Sequence, residues 1–376
     1  MPNSFHVKGV DAFKNNDYAQ AQRLFLQAIT ANPEEADSYL YLGKASFFAD
    51  EKNAAIAPLI KYIKLNQHNA AEVANVSCAF DLLGQCYEAA NKDLAALRAY
   101  KIAIKVDRSC ASAWHNMGLL YIKSAQHYLE QDLRNSSKLF LGAALFLIKA
   151  LTFSRTNPLF LHSIASWHEK YVEVLQEMME AKEAVQQNIK FNFNLALKYY
   201  QQALAACHAD DVGLKNIIRT NLTECFAQYG HYSYRIKDYT AAQQFYGHVL
   251  KLDPTHLAAI NQMGMSLFHQ QRFIEARTYF ADLLEKTVVQ QELADAWLNI
   301  ACTHRLEKSW LEARSALEKA KELAPEDDCI LAEEKQLAES QLAAQLITAP
   351  QTMFQPSTTM VPKPENTAIH QSIIKP

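Results

Sequence analysis

The chain has 376 residues, of which 20% are charged, and its formal net charge is −3 at pH 7. This length exceeds the size at which a single globular core usually stops growing, which leaves two domains or an elongated repeat array. No run of Lys and Arg is long enough to neutralise a series of phosphates, so the composition argues against nucleic acid as a partner.

The N-terminus runs from Met1 directly into an amphipathic pattern and lacks the apolar core of a signal peptide. The seven cysteines are scattered and include no C-x-x-C pair. That arrangement is typical of reduced, buried thiols rather than of disulfides or zinc ligands. We therefore expect a cytoplasmic protein.

Six of the nine glycines recur in one local context, shown most fully by Trp114-x-x-Met117-Gly118-x-x-Tyr121. Such a regular return of a small residue indicates an internal repeat. Three pairs of these glycines are separated by 34 residues: Gly9 and Gly43, Gly84 and Gly118, Gly230 and Gly264.

A second signature follows each of these segments after a polar turn such as Asn15-Asn16-Asp17. It consists of an Ala, a bulky residue four positions later and a small or apolar residue three positions after that, which places all three on one helix face. Pro33, Pro254 and Pro325 close their repeats. The second signature occurs as Ala21-Phe25-Ala28, Ala96-Tyr100-Ala103, Ala242-Tyr246-Val249, Ala276-Phe280-Leu283 and Ala313-Leu317-Ala320.

The combined pattern, W-x-x-L-G-x-x-Y followed by A-x-x-x-F-x-x-A and a closing P, resembles the tetratricopeptide repeat family over residues 2–327. The resemblance implies an all-α, right-handed solenoid of helical hairpins whose concave surface binds a peptide or helix of another protein. It implies no particular partner. We count about eight hairpins in the sequence.

The second repeat has Pro58 inside its second helix, where we expect a kink. After Tyr121 about 13 extra residues precede Ala143, where the second helix of the fourth repeat resumes.

The most apolar stretch, residues 139–148, is followed by Lys149 and is too short to span a membrane, so we interpret it as a buried helix.

The fifth repeat opens at Leu161 and its helical periodicity continues to Lys190, which predicts one helix of about 30 residues and near 45 Å in length. This central long helix carries an apolar stripe that has two interpretations: packing back on the array, or a surface for binding and self-association. The stripe comprises Tyr171, Val174, Leu175 and Met178.

The segment 328–346 places Leu331, Ala338, Leu342 and Leu346 on one side, as expected of a helix that caps an open array. From residue 347 onward, Pro, Ser and Thr interrupt any periodicity and predict disorder. The chain thus divides into an N-terminal array of about four repeats (1–157), an irregular central unit with the extended helix (158–222), a C-terminal array of three repeats (223–327), a capping helix (328–346) and a disordered tail (347–376).

The sequence offers no recognisable site for catalysis, a cofactor or a metal. None of the thirteen histidines lies three or four residues from another, and no nucleotide-binding or nucleophile motif is present. The nearest approach to H-E-x-x-H is His168-Glu169, which we interpret as solvated helix surface. A site within the irregular centre remains an alternative.

At 100° per residue, the packing positions of each first helix centre on one side, so the remaining positions should line the groove. In the C-terminal repeats, amides recur at one groove position (Gln228, Gln262 and Asn299), and a row of amides can bind the backbone of an extended peptide. The other groove residues there are His231, Arg235, Asn261, Met265 and His269, with Arg305 at the edge.

The N-terminal repeats give a groove that is more apolar and mildly basic, suited to an anchor side chain or an amphipathic helix. Its candidate peptide-binding residues are Lys14, Tyr41, Lys44, Phe48, Asn116 and Lys123, with Gln85 beside them. Two grooves of different character indicate two ligands or one long ligand.

One subset of the family binds the C-terminal carboxylate of heat-shock chaperones with Lys, Asn, Asn, Lys and Arg, and this clamp is absent here. The matching positions hold His6, Val10, Tyr41, Cys78 and Leu82 in repeats one to three, and Ala227, His231, Gln262, Asp295 and Asn299 in repeats six to eight.

These observations favour a non-catalytic adaptor for protein or peptide ligands. The alternative is a bacterial effector translocated into a host cell, because the Pro-broken tail that ends at Pro376 resembles a C-terminal type IV secretion signal.

Overall fold

A computed structural model describes residues 4–66, 68–177 and 183–348. The regular structure of these residues consists of seventeen α-helices and one short 3-10 turn. Contacts divide the chain into two compact units, residues 1–286 and residues 287–376.

The first unit contains fourteen α-helices, and the 3-10 turn Ala70–Glu72 precedes the fifth. Their bounds are α1 Ser4–Lys14, α2 Tyr18–Ala31, α3 Ala36–Phe48, α4 Lys52–Asn66, α5 Val73–Ala89, α6 Asp93–Val106, α7 Ala111–Tyr128, α8 Leu133–Phe153, α9 Pro158–Glu177, α10 Glu183–Ala206, α11 Val212–Arg235, α12 Tyr239–Leu252, α13 Leu257–His269 and α14 Phe273–Lys286.

Consecutive helices of this unit pack in pairs as hairpins, from α1 with α2 to α13 with α14. The second helix of each hairpin also packs on the first helix of the next, as α2 does on α3. First helices contact first helices, as α1 contacts α3 and α5 contacts α7. The unit therefore has a layer of first helices (α1, α3 and the odd-numbered helices up to α13) and a layer of second helices (α2, α4 and the even-numbered helices up to α14).

The turn within a hairpin has a recurring backbone conformation. Asn16, Asp50, Asn91, Lys237 and Gln271 all have positive φ, between 55° and 63°. The next residue donates its backbone N–H to the carbonyl five residues earlier, as Asp17 does to Ala12 at 3.0 Å. This left-handed closure ends the first helix and satisfies one of its free carbonyls.

Aspartates begin several second helices. The side chains of Asp17, Asp132 and Asp238 accept the backbone N–H groups of Gln20, Asn135 and Ala241 at 3.0, 3.0 and 3.2 Å. Each cap satisfies a donor that has no partner within the helix. The polar turns of the sequence thus both stop one helix and start the next.

The glycines of the first signature face the bulky residues of the second signature. A Cβ added at Gly230 would lie 2.7 Å from Cε1 of Tyr246, and one at Gly264 would lie 2.6 Å from Cε1 of Phe280. Both rings are fully buried. The glycines are therefore required by the close approach of the two helices of a hairpin.

The centre of the chain differs from its prediction. The expected helix from Leu161 to Lys190 is wrong: α9 ends at Glu177, and residues 183–190 belong to α10, which packs against α9 as a hairpin partner. In the apolar stripe Val174 and Leu175 are buried and Tyr171 packs in the same core, so the stripe faces the array. Met178 lies outside the described residues.

The extra residues after Tyr121 lengthen the fourth hairpin rather than forming a loop. They extend α7 to 18 residues and α8 to 21 residues. Helix α4 runs through Pro58 without interruption.

Helix α8 contains the apolar stretch 139–148. In the described residues it is the one helix long and apolar enough to cross a membrane, and only 28% of its most apolar window is buried. The expectation of a buried helix is therefore wrong for one side: Leu141 and Leu145 are exposed, whereas Phe140 and Leu147 are buried.

The second unit contains α15 Gln290–Leu306, α16 Trp310–Leu323 and α17 Asp328–Thr348. Helix α17 packs on both α15 and α16, in the position expected of the capping helix. Its buried face is wrongly predicted, because Ile330, Glu333 and Leu337 are buried whereas Leu331, Ala338 and Leu342 are exposed. A glutamate was not expected inside, but Glu333 is paired, as described below.

Residues 347 and 348 belong to α17. The remainder of the predicted disordered tail, 349–376, and the side chain of Leu346 lie outside the described residues.

Replacing Gly230 with Ala is expected to destabilise the protein by about 1–3 kcal/mol, since the new methyl group collides with the buried ring of Tyr246. Urea-induced unfolding followed by circular dichroism measures the change. Gly213→Ala is the matched control in the same helix, because a Cβ there has nothing within 4 Å. Equal stability of the two variants would contradict the packing argument.

Candidate functional site

A concavity of about 400 Å³ opens beside the first helices α3, α5 and α7, and we call it the α5 groove. It brings together Asn116 and Lys123, two of the predicted binding residues, with Gln85 of α5 and Lys52 at the start of α4. Its lining residues are Phe47, Lys52, Gln85, Glu88, Ala89, Tyr100, Asn116, Leu119 and Lys123.

Two amides of this groove are held by a buried carboxylate. Asn116 Nδ2 donates to Asp81 Oδ1 at 2.9 Å, and Gln85 Nε2 donates to Asp81 Oδ2 at 3.2 Å. Asp81 is only 4% exposed, and burial raises its pKa despite these hydrogen bonds. Because both NH₂ groups are turned toward Asp81, the amide planes are fixed.

The cations of the groove pair with solvent-accessible carboxylates. Lys123 Nζ lies 2.9 Å from Asp93 Oδ1, and Lys52 Nζ lies 3.4 Å from Asp50 Oδ1 and 5.9 Å from the centroid of the Phe47 ring. Exposed ion pairs of this kind contribute little free energy. Both lysines can therefore exchange these partners for an incoming carboxylate.

Tyr41, Lys44 and Phe48 come together on α3, in an aromatic cluster with the first hairpin. Tyr41 stacks on Phe25 with a centroid distance of 5.6 Å, and Lys44 Nζ lies 5.4 Å from the centroid of Tyr41. Phe48 remains 53% exposed beside Phe13. Lys14, at the end of α1, is exposed.

Two of the three predicted binding residues of α11 already contact other side chains of the protein. Gln228 donates to Glu224 at 3.3 Å, and His231 Nδ1 lies 3.2 Å from the hydroxyl of the buried Tyr246. Partial burial of the ring lowers the pKa of His231. Arg235, the last residue of α11, is exposed.

On α13, Asn261, Gln262 and Met265 are half-buried. The Oε1 atom of Gln262 is buried and has no hydrogen-bond partner among the described residues. His269 stacks on Tyr239 with a centroid distance of 4.8 Å. Gln228 and Gln262 thus belong to consecutive first helices of the first unit.

Asn299 and Arg305 lie on α15 of the second unit. Arg305 forms a bidentate pair with Glu333 of α17, with Nε 2.5 Å from Oε1 and an η-nitrogen 3.1 Å from Oε2. Burial, followed by the nearby carboxylate of Glu333, raises the pKa of the Cys302 thiol to about 12, although Arg305 acts in the opposite direction. Arg305 therefore fastens the capping helix, a role that requires no ligand.

The irregular centre contains buried polar pairs that the sequence interpretation missed. His168 and Glu169 are 8% and 9% exposed, so their interpretation as solvated helix surface is wrong. The hydroxyl of Tyr200 donates to Glu169 Oε2 at 2.7 Å, and His168 Nδ1 lies 2.8 Å from Asn192 Oδ1. These contacts join α9 to α10.

Two further histidines link helices of the first-helix layer. His115 Nε2 lies 2.8 Å from Ser163 Oγ, and Asn221 Nδ2 donates to His162 Nε2 at 2.8 Å. Burial lowers the pKa of both histidines, that of His115 to about 4. Over residues 4–66, 68–177 and 183–348, no three His, Cys, Asp or Glu side chains are grouped to hold a metal ion.

Two sequence profiles, each described as tetratricopeptide repeat, match residues 6–68 and residues 223–256. The first match covers α1 to α4, and the second covers the end of α11 with α12. The chain is a tetratricopeptide repeat protein. As such it is, in general terms, a protein-interaction scaffold.

Several solved structures are similar to this tetratricopeptide repeat protein. One is MamA, whose sequence is 20% identical to this chain. The match covers 54% of this chain and 89% of the MamA chain, with a TM-score of 0.37. A thermophilic tetratricopeptide repeat protein of Thermus thermophilus is 18% identical, with coverages of 58% and 97% and a TM-score of 0.39.

The C-terminal part of a repeat-containing protein of Cytophaga hutchinsonii is 15% identical, with coverages of 87% and 98% and a TM-score of 0.35. A search of curated proteins found no match. At these values no ligand or location is transferred from the similar structures.

The buried carboxyl of Glu169 gives a pH-dependent contribution to stability. Burial raises its pKa from 4.5 to about 7, so the folded protein retains a proton that the unfolded chain loses above 4.5. The contribution is complete below pH 4.5 and is lost as pH rises to about 7, a loss of roughly 3 kcal/mol.

Glu169→Gln replaces the titrating group with a neutral side chain that can still accept from Tyr200. We expect the free energy of unfolding of the wild type, relative to this variant, to fall between pH 4.5 and about 7 and to stay constant above. Urea titrations at a series of pH values measure the difference. A difference that does not change with pH would disprove the assignment.

Proposed function

We propose that the protein is a non-catalytic adaptor that binds a peptide or helical segment of a partner in the α5 groove. The observation that supports this most is the hydrogen bonding of Asn116 and Gln85 to the buried Asp81 at 2.9 and 3.2 Å. Amides held in this way present fixed polar groups and lose little conformational freedom when a ligand binds.

The groove chemistry favours a segment with an apolar anchor side chain next to acidic residues. Phe47 and Leu119 supply apolar surface, and Lys52 and Lys123 supply positive charge at the margins. Tyr41, Lys44 and Phe48 continue the same combination of aromatic and basic side chains on α3. Apolar anchors usually provide the affinity and charged margins the specificity.

The amide row receives less support as a continuous site. Gln228 and Gln262 lie in the first unit and Asn299 in the second, and Gln228 already donates to Glu224. We retain Gln228, His231, Gln262 and His269 as a second surface for an extended segment, tested separately below.

We further propose a cytoplasmic location, supported by seven free cysteines. The alternative of translocation into a host cell depends on the tail beyond Thr348 and stays a prediction.

The binding test selects ligands from a random peptide library displayed on phage, using the whole chain as bait. We expect the enriched peptides to carry an apolar residue flanked by Asp or Glu. The double variant Lys52→Gln/Lys123→Gln should weaken the binding of an enriched peptide at least about tenfold in fluorescence anisotropy, because both lysines face the groove. Circular dichroism checks that helicity is unchanged.

The matched control Lys198→Gln/Lys251→Gln removes the same charge from exposed positions of α10 and α12 and should bind like the wild type. If instead binding falls in Gln228→Ala/Gln262→Ala and is normal in the lysine variant of the groove, the ligand occupies the C-terminal surface and the α5 groove is rejected.

A further inference from the structure

The layer of second helices has an uneven distribution of charge. The first four second helices, α2, α4, α6 and α8, carry ten Lys and Arg but one acidic residue, Asp93. Asp93 is paired with Lys123 at 2.9 Å. The later second helices of the same unit, α10, α12 and α14, carry five basic and four acidic residues. The basic excess is therefore confined to one end of the layer.

Helix α8 combines this basic character with exposed apolar side chains. Leu141, Leu145 and Ile148 are 49%, 70% and 50% exposed, at spacings of four and three residues. At 100° per residue, the exposed Arg134, Lys138 and Lys149 lie on the same side. We call these six residues the outer face of α8.

The opposite side of α8 is fixed within the protein. Ser136 Oγ donates to the carbonyl of Ala125 on α7 at 2.8 Å, and Trp167 Nε1 on α9 donates to the carbonyl of Phe140 at 2.7 Å. Phe140 and Leu147 are buried in the same core. These contacts hold the helix in its hairpin, although its length and composition would suffice to cross a membrane.

Helix α6 continues the surface. Leu97 and Ile104 of α6 and Phe146 of α8 pack against the same buried cluster, which includes Met117 and Leu120 of α7. The exposed side of α6 carries Leu94, which is 75% exposed, together with Arg98, Lys101 and Lys105. Helices α6 and α8 thus each expose apolar and cationic side chains on one side.

We propose that the outer face of α8, with the exposed side of α6, docks on the surface of a membrane that contains anionic lipids. A helix of 21 residues lying flat can insert its leucines at the level of the headgroups while the flanking cations contact lipid phosphates and carboxylates. This combination is typical of helices that lie in the interface rather than span it.

Two other occupants fit the surface less well. Nucleic acid would satisfy the cations but would leave Leu141, Leu145 and Ile148 in contact with water or phosphate. A partner helix binds in a groove. The three apolar side chains instead project from the side of α8 that faces away from α7 and α9. The surface is also distinct from the α5 groove, so its test is independent of the proposed adaptor function.

Flotation of the full-length protein with vesicles tests the proposal. We expect the protein to bind vesicles of phosphatidylcholine that contain about 30% phosphatidylserine, and to bind pure phosphatidylcholine vesicles little. Binding to the anionic vesicles should weaken as the salt concentration is raised. Leu141→Gln/Leu145→Gln should reduce the bound fraction at least about tenfold, because it removes the inserted side chains. Arg134→Gln/Lys138→Gln/Lys149→Gln should abolish the preference for anionic vesicles.

The matched control is Ile274→Gln/Leu311→Gln, which makes the same chemical change at side chains that are 69% and 82% exposed elsewhere. It should float like the wild type, and circular dichroism should show unchanged helicity in every variant. The proposal is overturned if the wild type does not float, or if control and α8 variants lose binding equally. It is also overturned if polyuridylic acid binds with a dependence on Arg134, Lys138 and Lys149 while vesicles do not, or if light scattering shows a dimer that Leu141→Gln/Leu145→Gln dissociates.

Discussion

The contact between a glycine of the first helix and a buried ring of the second helix determines the geometry of four of the seven hairpins of the first unit. Gly9 against Phe25, Gly84 against Tyr100, Gly230 against Tyr246 and Gly264 against Phe280 leave no room for a methyl group. Because this contact fixes how closely the two helices approach, it also fixes where the exposed side of each first helix lies. The α5 groove and the basic side of α6 are thus positioned by the same pair, Gly84 and Tyr100. Both of the proposed binding surfaces therefore depend on this contact.

Much of the fold could be predicted from the sequence, because the same contact recurs and leaves a regular signature. Prediction failed where that signature is absent. Between α9 and α10 the sequence reads Met178-Met179-Glu180-Ala181-Lys182, all good helix formers without Gly, Pro or Asn, so periodicity alone could not separate the two helices. The buried face of α17 was missed for a different reason: Glu333 is buried because Arg305, 28 residues away, neutralises it.

The candidate site could be predicted only in part. Helical geometry places Asn116 and Lys123 on one side of α7, and both line the α5 groove, since this requires only the angle between successive residues. It could not identify Asp81, whose importance depends on Asn116, 35 residues away. Nor could it show that Arg305 already has a carboxylate partner, or that α8 buries one apolar side and exposes another. Each of these facts depends on which helices become neighbours.

The hairpin arrangement also has a consequence for how the chain acquires its structure. In the first unit, almost every helix packs on those one or two places away along the chain, so contacts join residues that are close in sequence. Such a topology folds rapidly, because few distant segments have to meet before stabilising contacts form. Each hairpin that leaves the ribosome finds its packing surface already present on the hairpin made before it. The array can therefore be assembled during synthesis in the order in which it is translated.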